Sequence, residues 1–290
     1  MVNIDALLPQ IAGALDVPRA CISYCPVSGG DISQCYRLDA GRRAIFLKCL
    51  PERYGRVLQA EELALKAIAD SGMIRCPLVL AAGGNQGLNW LALEHLELKS
   101  RSDTADRQLG RQLANLHRGT ADRFGWPQDN YIGLTPQHNP WHDVWDEFFI
   151  QQRLAPQIRW LQQANPGWNP GAEKSLKKCA ALLEGHRPEA ALLHGDLWAG
   201  NAAMLADQTP VIFDPASYYG DRETDLAMMA LFGGYSVTCF ESYQDAWPLP
   251  DGYRRRLPIY QLYHILNHAN LFAGSYLQQA ARLLDQISRN

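Results

Sequence analysis

The sequence has 290 residues with a formal net charge of -3, and 47% of its residues are hydrophobic and 20% charged, as in an ordinary folded domain. This charge balance gives no reason to expect a nucleic-acid partner, and the longest apolar run, residues 226–240, is too short and glycine-rich for a membrane span. The seven cysteines have irregular spacings and the N-terminus lacks the basic region of a signal peptide, so we expect free thiols in a cytoplasmic protein.

The first hundred residues are rich in predicted strands. Residues 4–15 have the apolar spacing of an amphipathic helix, which we expect to pack on the first sheet. A second helix is predicted over residues 56–70. Strands are predicted over residues 21–27, 33–39, 44–50, 77–82 and 88–93. The last two strands would be joined by a turn over residues 83–87.

A glycine pair, Gly29 and Gly30, separates the first two predicted strands. Glycines at such a turn let the backbone approach nucleotide phosphates and direct N–H groups at them. A plain hairpin is equally compatible with the pair. The segment is not a Walker A loop, because no Gly-Lys-Ser/Thr follows it.

Lys48 lies inside the third predicted strand, among apolar residues. A lysine in that position is costly unless it has an anionic partner. Glu61 is on the inward face of the following helix, and we expect it to pair with Lys48 beside the nucleotide phosphates. The alternative is that Lys48 extends to solvent from an edge strand and Glu61 is solvated.

The fifth predicted strand leads into Glu94, His95 and Leu96, which we interpret as a hinge whose backbone pairs with adenine. We place a lobe boundary just after it, with an N-terminal lobe of residues 1–97 and a C-terminal lobe of residues 98–290. The fold class is therefore α+β with two lobes, an antiparallel sheet lobe followed by a larger helical lobe.

The second half is mostly helical. Helices are predicted over residues 104–117, 141–160 and 173–183, from Asp225 onward, and over residues 258–287. Residues 124–137 form a long loop of aromatic and polar residues, of the kind that binds a ligand or fills a groove.

The strongest motif places Asp196, Asn201 and Asp214 after short apolar runs. Asn201 follows Asp196 by five residues, and Asp214 follows Asn201 by thirteen. This spacing matches the protein-kinase catalytic loop, in which the first carboxylate accepts the proton of the attacking hydroxyl. The amide oxygen and the second carboxylate hold Mg²⁺ against the phosphates. A capping Asp and a loop Asn would explain each residue alone but not their joint spacing.

The segment after Asp214 is too short for the activation segment of a protein kinase, which favours a small or flexible substrate in an open site. Asp225 begins an apolar helix close behind it. Its carboxylate can hydrogen-bond back to the loop that carries Asp196, or it can simply cap the helix.

Several segments together resemble the fructosamine or ketosamine-3-kinases, which are related to the aminoglycoside and choline kinases. The resemblance covers nearly the whole chain, and Trp198 distinguishes it from generic aminoglycoside kinases. The segments are Gly29 to Ile32, Leu109 to His117, Phe124-Gly125, Asp129 to Gly133, Pro136-Gln137, Phe148-Phe149, Arg153-Leu154, His194 to Asn201, Tyr218 to Glu223 and Asp225 to Met228.

The resemblance implies ATP-dependent phosphorylation of the 3-hydroxyl of a ketoamine, with Mg²⁺ as cofactor, and so removal of the sugar from a glycated amine. By position, Asp196 would be the base, Asn201 and Asp214 the Mg²⁺ ligands, and Lys48 and Glu61 the phosphate pair. Trp198 would form a wall of the sugar pocket, or pack in the core. Asp221 and Glu223 are further candidates for contact with the substrate.

Two alternatives remain at this point. One is a kinase of aminoglycosides or choline-like amino alcohols, for which a polycationic substrate would require an acidic patch. The other is a kinase-like binding protein without turnover, which the filled catalytic positions disfavour. The sugar, the amine and the oligomeric state are not determined by the sequence.

Overall fold

The computed structural model describes residues 4–28, 32–41, 43–168 and 170–289. Its strands are β1 (Ile22–Val27), β2 (Gln34–Ala40), β3 (Arg43–Pro51), β4 (Val79–Asn85), β5 (Leu88–Glu94), β6 (Thr120–Ala121), β7 (Asn130–Ile132), β8 (Thr135–Gln137), β9 (Ala190–Leu192), β10 (Ala202–Met204), β11 (Pro210–Ile212) and β12 (Tyr219–Gly220). Its α-helices are α1 (Leu8–Ala14), α2 (Gly55–Ser71), α3 (Asp103–His117), α4 (Trp145–Phe148), α5 (Ala155–Ala164), α6 (Ala172–Leu183), α7 (Glu223–Leu231), α8 (Val237–Ala246), α9 (Tyr253–Phe272) and α10 (Ser275–Arg289).

The N-terminal half is an antiparallel sheet in the order β1-β2-β3-β5-β4. Successive side chains of a strand point to opposite faces, and β3 shows the consequence. Ile45 and Leu47 pack into a cluster beneath α1, whereas Phe46 and Leu50 pack on the side of α2. By the same alternation, the side chain of Lys48 points to the face of the sheet on which α2 packs.

Helix α1 covers the outer face of this sheet. Its Leu8 and Ile11 are fully buried against the strands, together with Leu7 just before the helix. Gln10 accepts a hydrogen bond from the indole of Trp90 at 2.9 Å, which ties α1 to β5. The predicted N-terminal helix and its packing on the sheet are therefore confirmed.

The C-terminal half is helical around α9. This helix contacts α5, α6, α7 and α10, while α3 packs against α8. Trp145, Phe149, Tyr260 and Tyr263 fill the space between the π-helical segment Phe149–Leu154 and α9. An antiparallel sheet followed by helices confirms the predicted two-lobed α+β class. The boundary near residue 98 stays a prediction, because the larger hydrophobic cluster takes residues from both halves.

Three local predictions were wrong. The helix expected over residues 141–160 begins at Trp145, because Phe124 and His142 first exchange backbone hydrogen bonds, and its middle is π-helical. The supposed loop of residues 124–137 contains the hairpin of β7 and β8. The turn expected over residues 83–87 is shorter, because β4 continues to Asn85, which pairs with Leu88.

Candidate active site

The site begins at the ends of two short buried strands. β9 and Leu193 lead to His194, and β11 leads through Phe213 to Asp214. We call residues 194–201 the first loop and residues 213–218 the second loop. Asp214 has a φ of 57°, a left-handed conformation that Asp tolerates better than most residues and that turns the chain sharply after the strand.

His194 holds the two loops together. Its Nδ1 accepts a hydrogen bond from the backbone N–H of Asp196 at 3.3 Å, and its Nε2 donates to the carbonyl oxygen of Phe213 at 2.9 Å. Burial lowers the pKa of His194, so the ring is neutral and its tautomer is set by these two partners. Gly195 follows with a φ of +85°, and a Cβ there would lie 2.1 Å from the carbonyl oxygen of Ala216. The arginine that stands before the catalytic Asp in protein kinases would therefore clash with the second loop at this position.

Asp225 supports the first loop from below. Its carboxylate accepts hydrogen bonds from the backbone N–H groups of His194 at 2.7 Å and Gly195 at 2.8 Å. His117 Nε2 lies 3.1 Å from the same carboxylate, and Tyr243 closes the far side of the His117 ring at 2.8 Å. Burial opposes the charge on Asp225, but the hydrogen bonds from His117 and Gly195 outweigh it and lower the pKa. The predicted bond back to the loop is confirmed; Asp225 lies within α7 and does not cap it.

Lys48 stands between two carboxylates. Its Nζ lies 2.6 Å from Glu61 Oε1 and 2.5 Å from Asp214 Oδ1. Burial disfavours the ammonium, but the charges of Asp214 and Glu61 outweigh burial and raise the pKa of Lys48. The lysine is therefore a fixed cation in an inner strand, and Glu62, the neighbour of Glu61, instead pairs with Lys66 on the outer face of α2.

Asp196 and Asn201 meet within the first loop. The amide nitrogen of Asn201 donates to the carbonyl oxygen of Asp196 at 2.8 Å, so the amide oxygen of Asn201 remains for a ligand. Burial raises the pKa of Asp196 to about 7, and the nearby charges of Asp214 and Asp225 act in the same direction. A carboxylate with this pKa is suited to accept a proton near neutral pH.

The far end of the first loop is held by Arg101 and Tyr235. The guanidinium donates to the carbonyl oxygens of Ala199 at 3.2 Å and Ala202 at 2.6 Å, on either side of Asn201. The Tyr235 hydroxyl donates to the carbonyl oxygen of Trp198 at 3.1 Å, and its ring lies 4.3 Å from the Arg101 guanidinium. Buried Asp106 pairs with Arg101 at 2.7 Å. We call Arg101 and Tyr235 the loop clasp. No motif in the sequence indicated it.

The second loop is held by the hairpin of β7 and β8. Asn130 donates to the carbonyl oxygen of Ser217 at 2.6 Å, and Gln137 donates to that of Ala216 at 3.2 Å. Gln137 in turn accepts from the hydroxyl of Tyr263 at 2.6 Å. The polar residues of the segment from Phe124 to Gln137 therefore fix the backbone behind Asp214, and Asn130, Tyr131 and Gly133 of the same segment line the cleft.

The three proposed hinge residues lie at the sheet end of the same cleft. The backbone N–H of Glu94 donates to Leu78 O at 2.9 Å and that of His95 to Ala44 O at 3.4 Å. The Glu94 side chain pairs with Arg75 at 2.5 Å. The N–H groups of Glu94 and His95 are thus engaged by backbone carbonyls beside the sheet. We therefore propose that the N–H of Leu96 is the one that donates to adenine.

The remaining sequence candidates have different locations. Gly29 and Gly30 lie outside the described residues. Trp198 is exposed and faces the cleft, with its ring over Gly200, where a Cβ would lie 2.2 Å from the ring. This excludes a core-packing role for Trp198.

Asp221 and Glu223 do not line the cleft, so the sequence-based suggestion that they contact the substrate is withdrawn. Both are buried. Asp221 accepts from Tyr260 at 2.6 Å and lies 2.7 Å from His186, and Glu223 pairs with Arg256 at 2.6 Å. Their carboxylates hold α7, α9 and the preceding loop together. His186, Asp221 and Glu223 lie close enough to hold a metal, but Arg256 already supplies the positive charge there.

The cleft between the sheet and the helices has a volume of about 980 Å³. It brings together Lys48, Glu61, Asp196, Asn201 and Asp214. A fixed cation, an acceptor carboxylate, an amide oxygen and a second carboxylate are the groups that phosphoryl transfer requires. No described helix is both long and apolar enough to cross a membrane.

Comparison with known proteins identifies relatives over the full length of the chain. The model of the fructosamine kinase family matches residues 7–290. A protein named probable ketoamine kinase from Synechocystis sp. is 44% identical over 98% of this chain and 97% of its own length. Another of that name from Vibrio cholerae is 38% identical over 97% of this chain and 98% of its own length.

Solved structures show the same relationship. The crystal structure of a candidate fructosamine-3-kinase from Haemophilus somnus has a TM-score of 0.90 and 26% identity, over 98% of this chain and 97% of that one. A thermostable mutant of aminoglycoside phosphotransferase APH(4)-Ia, in a ternary complex with AMP-PNP and hygromycin B, has a TM-score of 0.65. At 16% identity, over 97% of this chain and 98% of that one, this second likeness concerns the fold alone.

Proposed function

The chain belongs to the fructosamine kinase family, and from this premise we propose that it transfers the γ-phosphoryl group of ATP to the 3-hydroxyl of a ketoamine. It is an ATP-dependent phosphotransferase of the ketoamine kinase type. The observation that supports the assignment of roles is the convergence of Asp196, Lys48 and Asp214 in one cleft.

Asp196 acts as the base. The substrate oxygen attacks the γ-phosphorus, the bond to the bridging oxygen breaks, ADP leaves, and Asp196 accepts the hydroxyl proton. The carboxylate is partly open to the cleft and pairs with no cation among the described residues, whereas Asp214 is paired with Lys48. Lys48, held by Glu61, neutralises charge on the phosphates, and the N–H of Leu96 pairs with adenine. Gly29 and Gly30, outside the described residues, stay sequence-based candidates for contact with the phosphates.

Asn201 and Asp214 fit a Mg²⁺ ion. Both offer oxygen donors to the cleft, which are the ligands that Mg²⁺ prefers, and the amide nitrogen of Asn201 is already engaged by Asp196 O. When bound, the ion neutralises developing charge on the phosphate oxygens. The lobe boundary near residue 98 would let the sheet and the helices enclose the nucleotide from two sides.

We propose that phosphorylation is enough to remove the sugar. Once the ketoamine rearranges to its enaminol, the phosphate on carbon 3 can leave as the nitrogen lone pair moves toward carbon 1. Water then hydrolyses the resulting imine to the free amine and a dicarbonyl. Phosphate is a much better leaving group than hydroxide, so this step requires no further group from the protein.

The test is to incubate ribulosyl-lysine with ATP, Mg²⁺ and enzyme, and to follow ADP and free lysine over time. We expect ADP first and free lysine later, with a short-chain sugar favoured by the open site after Asp214. Asp196→Asn is the matched control and should produce neither. ADP without delayed lysine would place the phosphate on another hydroxyl. Turnover of an aminoglycoside or choline, with no ADP from any ketoamine, would contradict the assignment.

A further inference from the structure

A group of aromatic rings lies at the helical end of the cleft, beyond the phosphoryl-transfer groups. It consists of Phe232, His268, Phe272 and Tyr276, which we call the aromatic cluster; all four line the cleft that contains Asp196 and Trp198. The ring centroids of His268 lie 4.8 Å from Phe232 and 5.1 Å from Tyr276, and those of Phe272 and Tyr276 are 6.3 Å apart.

The cluster is assembled from three helices but is not covered by them. Phe232 follows α7, His268 and Phe272 lie on the last turns of α9, and Tyr276 is in the first turn of α10. Phe232 is 39% exposed and Phe272 is 55% exposed. Large apolar side chains that are grouped and open to a cleft indicate a binding surface more often than a structural one.

The aromatic cluster carries no carboxylate of its own, so it offers a polycationic occupant no ion pair. The described carboxylates that line it are those of Glu61, Glu94, Asp196 and Asp214. Lys48 lies between two of these, Glu61 and Asp214, and Arg75 pairs with a third, so Asp196 is the one that no described cation contacts. His268 donates from Nδ1 to the carbonyl oxygen of His264 at 2.8 Å, and burial lowers its pKa, so it adds no charge at neutral pH.

We propose that the aromatic cluster binds the substituent on the amine nitrogen of the ketoamine and favours an apolar or aromatic carbon chain over a charged one. This inference depends on the proposed function. With the sugar hydroxyl at Asp196, the amine end of the substrate extends along the cleft toward the cluster. Ring faces also attract a single ammonium group, so a secondary ammonium is accepted without a carboxylate partner. In a glycated lysine the methylene chain would occupy the same place.

The experiment compares ribulose-derived ketoamines that share the sugar and differ in the amine: benzylamine, methylamine and glycine. For the wild type we expect kcat/KM to be highest for the ketoamine made from benzylamine, about tenfold above the ketoamine made from glycine. This ratio corresponds to the burial of one edge of the benzyl ring. Phe272→Ala should reduce the benzylamine-to-methylamine ratio of kcat/KM about tenfold, while the KM for ATP stays the same. Phe272→Leu should restore part of the ratio.

The matched control is Val237→Ala. Val237 is 72% exposed and lies outside the cleft, so its loss should leave the ratio unchanged. Equal kcat/KM values for the benzylamine and glycine products, or an unchanged ratio in Phe272→Ala, would overturn the proposal while leaving ketoamine phosphorylation intact. The absence of ADP from all three ketoamines would instead overturn the proposed function, and the subsite with it.

Discussion

At the scale of single residues, Asp196 has the most consequential environment. The burial of its carboxylate and the charges of Asp214 and Asp225 all oppose ionisation, and together they raise the pKa to about 7. The pKa of Asp225 is instead lowered, because its carboxylate accepts hydrogen bonds from His117 and two backbone N–H groups. Two carboxylates of adjoining segments therefore differ in protonation because they differ in hydrogen-bond donors.

This difference predicts the pH dependence of the reaction. A base must be deprotonated to act, so we expect kcat/KM for a ketoamine to rise about tenfold per pH unit below pH 7 and to level off above it. The profile is measured on the wild type with saturating ATP and excess coupling enzymes. Asp196→Asn should reduce turnover about a thousandfold above pH 7 and abolish this pH dependence, because it removes the titrating base.

A rate profile that stays flat from about pH 5.5 to pH 8 would contradict this assignment, because a group with a pKa near 7 must leave its titration in the profile. Wild-type turnover by Asp196→Asn would contradict it more directly. Either result would move the role of base away from Asp196.

At the scale of elements, the first loop is short and irregular, and its shape comes from neighbours distant in sequence. Asp225 on α7 holds its beginning, and the loop clasp of Arg101 and Tyr235 holds its end. The clasp fixes the backbone on both sides of Asn201, the proposed metal ligand. It also fixes the carbonyl of Trp198, the proposed wall of the sugar pocket. We infer that Arg101 and Tyr235 are positioning residues.

The clasp predicts a specific defect. Tyr235→Phe removes the hydroxyl that bonds to Trp198 O but keeps the ring against Arg101. We expect kcat to fall several-fold and the Mg²⁺ concentration for half-maximal ADP binding to rise, with a cost in folding stability of about 1 kcal/mol. Steady-state kinetics and calorimetric titration of ADP at varied Mg²⁺ measure the two effects.

Tyr24→Phe is the matched control, since Tyr24 donates its hydroxyl to Asp5 at 3.1 Å on the far edge of the sheet. It likewise loses one hydrogen bond of a tyrosine hydroxyl, here to a carboxylate, without touching the first loop. If both variants had the same Mg²⁺ requirement as the wild type, Tyr235 would have only a structural role. Arg101→Met should be more severe, because it leaves Asp106 buried without its partner.

At the scale of the whole molecule, the cleft lies between a sheet and a helical body. The backbone bond from Ile212 N to Arg75 O at 3.0 Å connects them, and the larger hydrophobic cluster takes residues from both. A nucleotide bound between the two would contact both. Binding to the folded state alone raises its stability by mass action.

Thermal unfolding should therefore report nucleotide binding separately from turnover. With ADP and Mg²⁺ at about a hundred times the dissociation constant, we expect Tm to rise by about 5–10 °C in the wild type. Asp196→Asn should keep this rise, because it removes a base and no metal ligand. Asp214→Asn should lose most of the Mg²⁺-dependent part of it. An equal rise in both variants would contradict the division of roles between the two carboxylates.

Much of the sheet and of the site followed from the sequence, because the relevant patterns are local. A lysine among the apolar residues of β3 required an anionic partner, and helical periodicity placed Glu61 on the inner side of the following helix. The apolar runs before His194 and Asp214 predicted strand ends, and the spacing of Asp196, Asn201 and Asp214 predicted one site. These inferences need only the period of an element and the chemistry of a side chain.

Contacts between distant segments were decided by the tertiary structure alone. Asp221 and Glu223 resembled substrate residues in the sequence, yet they are buried against Tyr260 and Arg256. Arg101 and Tyr235 belong to no motif, and they meet only because α3 packs on α8. The aromatic cluster likewise exists only where the ends of α7, α9 and α10 converge. Periodicity states which face a residue occupies, but the packing of whole elements determines what that face meets.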